Sequence, residues 1–263
     1  MSKTRRALLI LLALALLKIP VDVLLAAMLP DASVNPAANV VAGAVANMLL
    51  LGLPAWMMRP WESLRLPQKD AVWPGMLLGA AMALLTRAAM SPADAAWQSW
   101  LGLLPDALPV PDSLQMAMVY VLCLAVVPAV TEEAFFRGAL LTGLLDGGRR
   151  ITAVLLTVLA FALMHGSLAN LPGLLAISLV LTMVMLHTGR IAAAVTTHFF
   201  YNISALAWPG VPGWGSILGG AALMGMIAYV IIRQPKMAHP PMKWADGLIA
   251  AAALIVLAAV YFI

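Results

Sequence analysis

Long apolar runs separated by short polar breaks dominate the chain, and the runs fall at residues 7–29, 37–58, 71–90, 114–145, 150–167, 171–188, 190–208, 214–232 and 244–263. Most are close to the roughly twenty residues that carry a helix, rising 1.5 Å per residue, across a hydrocarbon core of about 30 Å. Strand-type alternation is absent and Ala, Leu and Met are abundant, so the runs read as helices and not as strands of a barrel. The pattern therefore predicts an all-α fold, a polytopic bundle of about eight or nine transmembrane helices forming one integral membrane domain over residues 1–263. The breaks carry turn and helix-ending residues, as in Leu29-Pro30-Asp31, Gly147-Gly148 and Pro209 to Pro212. Trp56, Trp61, Trp73, Trp97, Trp100, Trp208, Trp214 and Trp244 stand near run ends, where indoles prefer the interface.

Three local readings follow. The opening Lys3, Arg5 and Arg6 ahead of Ala7 to Leu17 have the layout of a secretory signal, but no small-x-small cleavage site follows and an uncleaved first span is favoured. Between Ser91 and Asp112 the longest outer connection holds a short interfacial helix over Ala93 to Leu104. Gly75-x-x-x-Gly79 and Gly215-x-x-x-Gly219 mark close helix contacts within the bundle.

Composition agrees with the pattern: 63% of residues are hydrophobic and 10% charged, against roughly half and a quarter in a soluble domain. The net charge of +4 does not mark a nucleic-acid partner, because the basic residues are scattered at run ends. Lys3, Arg5 and Arg6, then Arg59, Arg65 and Lys69, then Arg149 and Arg150, then Arg190, then Arg233, Lys236 and Lys243 fall on alternate loops. Basic residues are retained on the cytoplasmic side, so the N-terminus is expected there and, with nine spans, the C-terminus outside. The single cysteine, Cys123, excludes an intrachain disulfide and reads as a packing residue.

Ionisable groups inside spans are costly and usually face the bundle interior, where they act. In the middle of the chain these are Glu132, Glu133, Arg137, His165, His198 and Asn202. Glu133 and Arg137 are four residues apart and share a helix face, whereas Glu132 diverges from Arg137 by about 140°. Glu133 is thus the natural partner of Arg137, and Glu132 is left as a free carboxylate suited to general-base work. A structural Glu-Arg pair with a spare carboxylate is the plainer alternative. His198 and Asn202, also four apart, present two donors to one point, as an oxyanion requires. His165 ends an apolar run one turn after Phe161, whose ring it can meet. At 1.5 Å per residue, Glu132, His165 and Asn202 lie about 20, 22 and 18 Å from the cytoplasmic boundary, so these groups can converge towards the outer half of the membrane. His187 and His239 read as interfacial bystanders, Lys18 and Asp22 as an i, i+4 pair, and Arg87 as a snorkelling side chain.

Glu132-Glu133-x-x-x-Arg137, Phe161-x-x-x-His165 and His198-x-x-x-Asn202, in that order on successive apolar segments, resemble the three motifs of the CAAX-protease and bacteriocin-processing (CPBP) family of intramembrane proteases. The resemblance covers residues 114–208, a CAAX-protease-like catalytic core. It implies that Glu132 activates water together with His165, that His198 and Asn202 form an oxyanion hole, and that Glu133 and Arg137 support the site. Family members are often labelled metalloproteases, yet a glutamate-dependent, metal-free mechanism fits these side chains at least as well. No cofactor is expected; were zinc required, Glu132, His165 and His198 would be its ligands.

The resulting expectation is a multi-pass cell-membrane endopeptidase whose partners are the lipid bilayer and a membrane-associated or secreted protein or peptide substrate, with no nucleic acid and an oligomeric state left open. Two other classes use the same residues: a proton-coupled transporter, against which the lack of an internal repeat or of matching broken helices argues, and a non-catalytic scaffold or immunity-type protein of the same fold.

Overall fold

The computed structural model describes residues 2–29, 35–58, 72–104, 110–147, 150–207, 213–233 and 242–259. Those residues form nine helices and no strand, an all-α fold as the apolar pattern predicts. They are α1 (Lys3–Met28), α2 (Pro36–Met58), α3 (Val72–Leu101), α4 (Leu114–Gly147), α5 (Arg150–Met164), α6 (Leu171–Thr188), α7 (Ile191–Ala207), α8 (Gly213–Arg233) and α9 (Trp244–Ala259). Five of the helices, α1 to α4 and α6, are long and apolar enough to cross a membrane, and the other four are shorter apolar helices. Trp61, Trp208, His239 and the basic residues Arg59, Arg65, Lys69, Arg149 and Lys236 lie outside the described residues.

Local chemistry sets several of the helix starts. Ser2, Asn35 and Ser113 each accept a backbone N–H of the first turn, from Arg5, Ala38 and Met116, and Pro36 occupies a first-turn position where its missing N–H costs nothing. Gly189, at φ 67°, ends α6 in the left-handed conformation that glycine adopts without penalty.

The bundle is organised around α3, which packs along α6, α7 and α8, while α1 lies against α9 and α4. Helix α6 is the most enclosed span, with 67% of its apolar window buried; Thr182 and Thr188 return their hydroxyls to carbonyls one turn back. Small residues permit the closest approaches, as the Gly-x-x-x-Gly spacing predicts. A methyl group on Gly79 would stand 2.3 Å from Thr197 Oγ1 and 2.8 Å from the Ala193 carbonyl on α7, and one on Gly219 of α8 would stand 2.8 Å from the Ala88 methyl of α3.

One expectation is corrected. The segment from Ala93 is not a separate interfacial helix: α3 runs without interruption through Pro92 to Leu101. Its last turns are held by the segment between α5 and α6, with Trp97 Nε1 donating to the Leu168 carbonyl (2.9 Å), Gln98 Nε2 to the Ala169 carbonyl (3.1 Å) and Asp94 Oδ1 accepting from Gly173 N (2.8 Å). Arg87 is half-buried, hydrogen-bonded to Tyr201 and facing Asp94. His187 is buried, its ring 5.8 Å from that of Tyr229. Lys18 and Asp22 do form their pair, at 2.5 Å.

Candidate active site

Helix α4 departs from α-geometry twice, with π-helical stretches at Val121–Val126 and Ala134–Leu141 on either side of the short α-helical segment Val127–Glu133. Such wide turns recur at functional sites, because they re-aim side chains relative to a regular helix. Here the segment between them delivers two adjacent carboxylates, both buried, into different surroundings.

Glu133 faces a cation. Its Oε1 accepts from Arg137 Nη1 at 2.9 Å, and neither side chain has any exposed surface. Arg137 Nη2 donates to both the carbonyl (2.9 Å) and the hydroxyl (2.8 Å) of Ser178 on α6, and its guanidinium lies 4.5 Å from the centre of the Phe161 ring. A buried ion pair is tolerable only with such additional partners. The same Glu133 Oε1 lies 2.9 Å from His198 Nδ1 on α7. An ionised carboxylate only accepts, so Nδ1 carries the hydrogen and Nε2 points onward.

Glu132 faces the two imidazoles instead. Its Oε2 lies 3.6 Å from His165 Nε2 and 3.9 Å from His198 Nε2, and has no hydrogen-bond partner among the described residues. His165 follows the last residue of α5, and its Nδ1 is 2.8 Å from the Phe161 carbonyl, one of the carbonyls that a helix end leaves unpaired. A carbonyl cannot donate, so here too Nδ1–H is the donor and the neutral ring offers its Nε2 lone pair to the cluster. The ring of Phe161 packs on both imidazoles, with centroids 4.6 Å from His165 and 5.6 Å from His198. Neutral, the two histidines and Glu132 thus present three acceptor atoms to one point, an arrangement that calls for something able to donate between them. His165 is the exposed member, with 29% of its side chain accessible against 7% for Glu132 and 3% for His198.

Of the residues singled out in the sequence, the structure brings Glu132, Glu133, Arg137, His165 and His198 into one contact network across α4, α5 and α7. Asn202, one turn beyond His198, donates its amide to the Leu124 carbonyl of α4 at 3.0 Å, which leaves a second amide hydrogen. Two contributors were not anticipated: Ser178, and Asn47 on α2, whose Nδ2 donates to Glu132 Oε1 at 2.7 Å. A polar residue within the apolar run 37–58 was the available signal for Asn47.

The atoms Glu132 Oε2, His165 Nε2 and His198 Nε2 are of kinds that bind zinc. However, among the described residues no three His, Cys, Asp or Glu side chains are gathered closely enough to hold a metal ion.

Fold and site together define a helical membrane protein with a paired-carboxylate and histidine cluster enclosed by its helices. Residues 114–204 match the family model described as type II CAAX prenyl endopeptidase Rce1-like, a protease family within the CPBP group, so the resemblance carried by the three motifs holds over that segment. The chain matches no curated protein and no solved structure.

Proposed function

We propose that the chain is an intramembrane endopeptidase of the cell membrane that hydrolyses a peptide bond of a membrane-associated or secreted protein or peptide, with Glu132 activating water and no required metal. The observation that carries this reading is the facing of Glu132 Oε2 and His165 Nε2 at 3.6 Å, beyond direct hydrogen bonding, with the carboxylate oxygen otherwise unpartnered among the described residues. A separation of that size suits a bridging water about 2.8 Å from each atom. Both atoms accept, so the water directs its two hydrogens at them and a lone pair away, towards an incoming carbonyl carbon.

Attack forms the carbon–oxygen bond as Glu132 takes the proton, and the carbonyl π electrons move onto oxygen. That oxyanion is the natural acceptor for the remaining amide hydrogen of Asn202, with the His198 ring, held through Nδ1 by Glu133, completing that side of the site. Collapse breaks the carbon–nitrogen bond, and the proton held by Glu132 passes to the leaving amine, which restores the carboxylate. Glu133, Arg137 and Ser178 hold the frame of the site.

The test compares the termini of membrane and secreted proteins between cells carrying the native chain and cells carrying Glu132→Gln or His165→Ala. A protein whose terminus changes only with the native chain identifies a substrate, and its cleavage is lost in both variants; undiminished cleavage sinks the assignment. Retained activity of purified enzyme after chelation, with no bound metal by elemental analysis, supports the metal-free form, and metal-restored activity overturns it.

A further inference from the structure

Glu132 turns one oxygen to the histidines and the other to Asn47, a residue outside the segment that matches the protease family. The Asn47 carboxamide is engaged at both ends by consecutive residues of α4. Nδ2 donates to Glu132 Oε1 at 2.7 Å, and Oδ1 accepts from the hydroxyl of Thr131, which it shares with the Val127 carbonyl at 2.9 Å. This pairing fixes the orientation of the amide, since rotating it would set its oxygen against the carboxylate oxygen. Immediately after Asn47, α2 enters a π-helical stretch, Met48–Gly52, and Gly52 brings α2 up to Thr131: a methyl group there would stand 3.1 Å from Thr131 Cγ2. The close approach and the hydrogen bonds therefore occur at the same place.

We propose that Asn47 is the positioning residue of Glu132: by occupying Oε1 with a neutral N–H, it holds the carboxylate in the rotation that presents Oε2 to His165 and His198. The two glutamates are then distinguished by their donors. Glu133 is neutralised by Arg137, whereas Glu132 is oriented by an amide that leaves its charge intact. Besides Asn47, the charged and titratable groups that bear on Glu132 are His165 from the end of α5, His198 from α7 and Arg137 from its own helix. None of these engages Oε1, so the assignment to Asn47 is specific. It rests on the proteolytic reading for the role of Oε2, but not for the contact itself.

The experiment uses the full chain reconstituted in liposomes, as native protein, N47A, N47L (a near-isosteric side chain without donors), E132Q and N47L/E132Q. An internally quenched farnesylated CAAX peptide is the activity probe, thermal unfolding is followed in parallel, and the infrared carboxylate band of Glu132 is identified as the band lost in E132Q. With a misdirected base, N47L lowers kcat by about tenfold or more, leaves KM within about twofold and adds no further loss in the E132Q background. A loss of activity that only follows the loss of folded protein, or that adds fully to E132Q, overturns the proposal and reduces Asn47 to a helix–helix contact. Should the native chain leave this peptide uncut, the infrared arm decides. A Glu132 band displaced in both N47A and N47L upholds Asn47 while the proteolytic reading fails for prenylated peptides, and an unmoved band overturns Asn47.

Discussion

Nδ1 of His198 and Nη1 of Arg137 both lie 2.9 Å from the same oxygen of Glu133, so one carboxylate joins the structural ion pair to the imidazole that faces Glu132. Removing the cation leaves a buried charge supported only from the histidine side. Arg137→Ala is therefore expected to cost about 3–5 kcal/mol of stability. Arg137→Ala with Glu133→Ala is expected to be less destabilising than the sum of the single changes, because the second removes the charge that the first leaves unpaired. Thermal unfolding of the four proteins in one detergent measures both quantities.

Glu132 and Glu133 are adjacent, and substitution separates their roles. Glu132→Gln keeps the shape and the acceptor that Asn47 Nδ2 engages, while removing a buried carboxylate, the proposed base. Turnover is expected to fall by about 10²–10⁴-fold with the melting temperature unchanged or raised. Glu133→Gln strands Arg137 and is expected to lower the melting temperature as well as turnover. Parallel melting curves and rates on an identified substrate distinguish the two; a destabilised Glu132→Gln would contradict the division of labour.

The contrast shows which parts of the site were legible along the chain. Glu133 and Arg137 were separable from Glu132 by helical phase alone, since an i, i+4 spacing survives even though Arg137 lies in a π-helical stretch. Helix α6 occupies residues 171–188, the limits of its apolar run, because Pro172 and Gly189 mark both ends. Asn47 and Ser178 were not legible, because their partners lie 85 and 41 residues away and only packing brings them together. Ser91-Pro92 misled for a different reason. A proline lacks the N–H and crowds the preceding turn, which reads as a helix end. Contacts of Asp94, Trp97 and Gln98 with residues 168–173 accompany the continued helix.

Helix α3 approaches α7 at Gly79, where an added methyl group meets Thr197 Oγ1 and the Ala193 carbonyl, and Thr197 directly precedes His198. Gly79→Ala is expected to push α3 away and lower both the melting temperature and turnover. Thr197→Ala in the same chain relieves the side-chain contact but leaves the backbone carbonyl in place, so only partial recovery is expected. Full recovery would show that the backbone approach is unimportant.

The end of α3 clamps the segment that follows His165. Asp94 accepts from Gly173 N at 2.8 Å, and a methyl group on Gly173 would stand 2.5 Å from Asp94 Oδ2, so this contact leaves no room for a side chain. Trp97 and Gln98 hold the carbonyls of Leu168 and Ala169 from the same helix. His165, whose Nε2 must stay near Glu132 Oε2, lies at the start of this clamped stretch and is followed by Gly166 at φ 66°. Asp94→Ala and Trp97→Phe are expected to raise amide exchange across residues 166–173 and to lower kcat more than KM, because the proposed base Glu132 and His165 lose register without any change in their chemistry. Hydrogen exchange read by mass spectrometry, alongside rates for both variants, checks this. Faster exchange with an unchanged kcat would mean that the Phe161 carbonyl, 2.8 Å from His165 Nδ1, is sufficient to hold the ring in place.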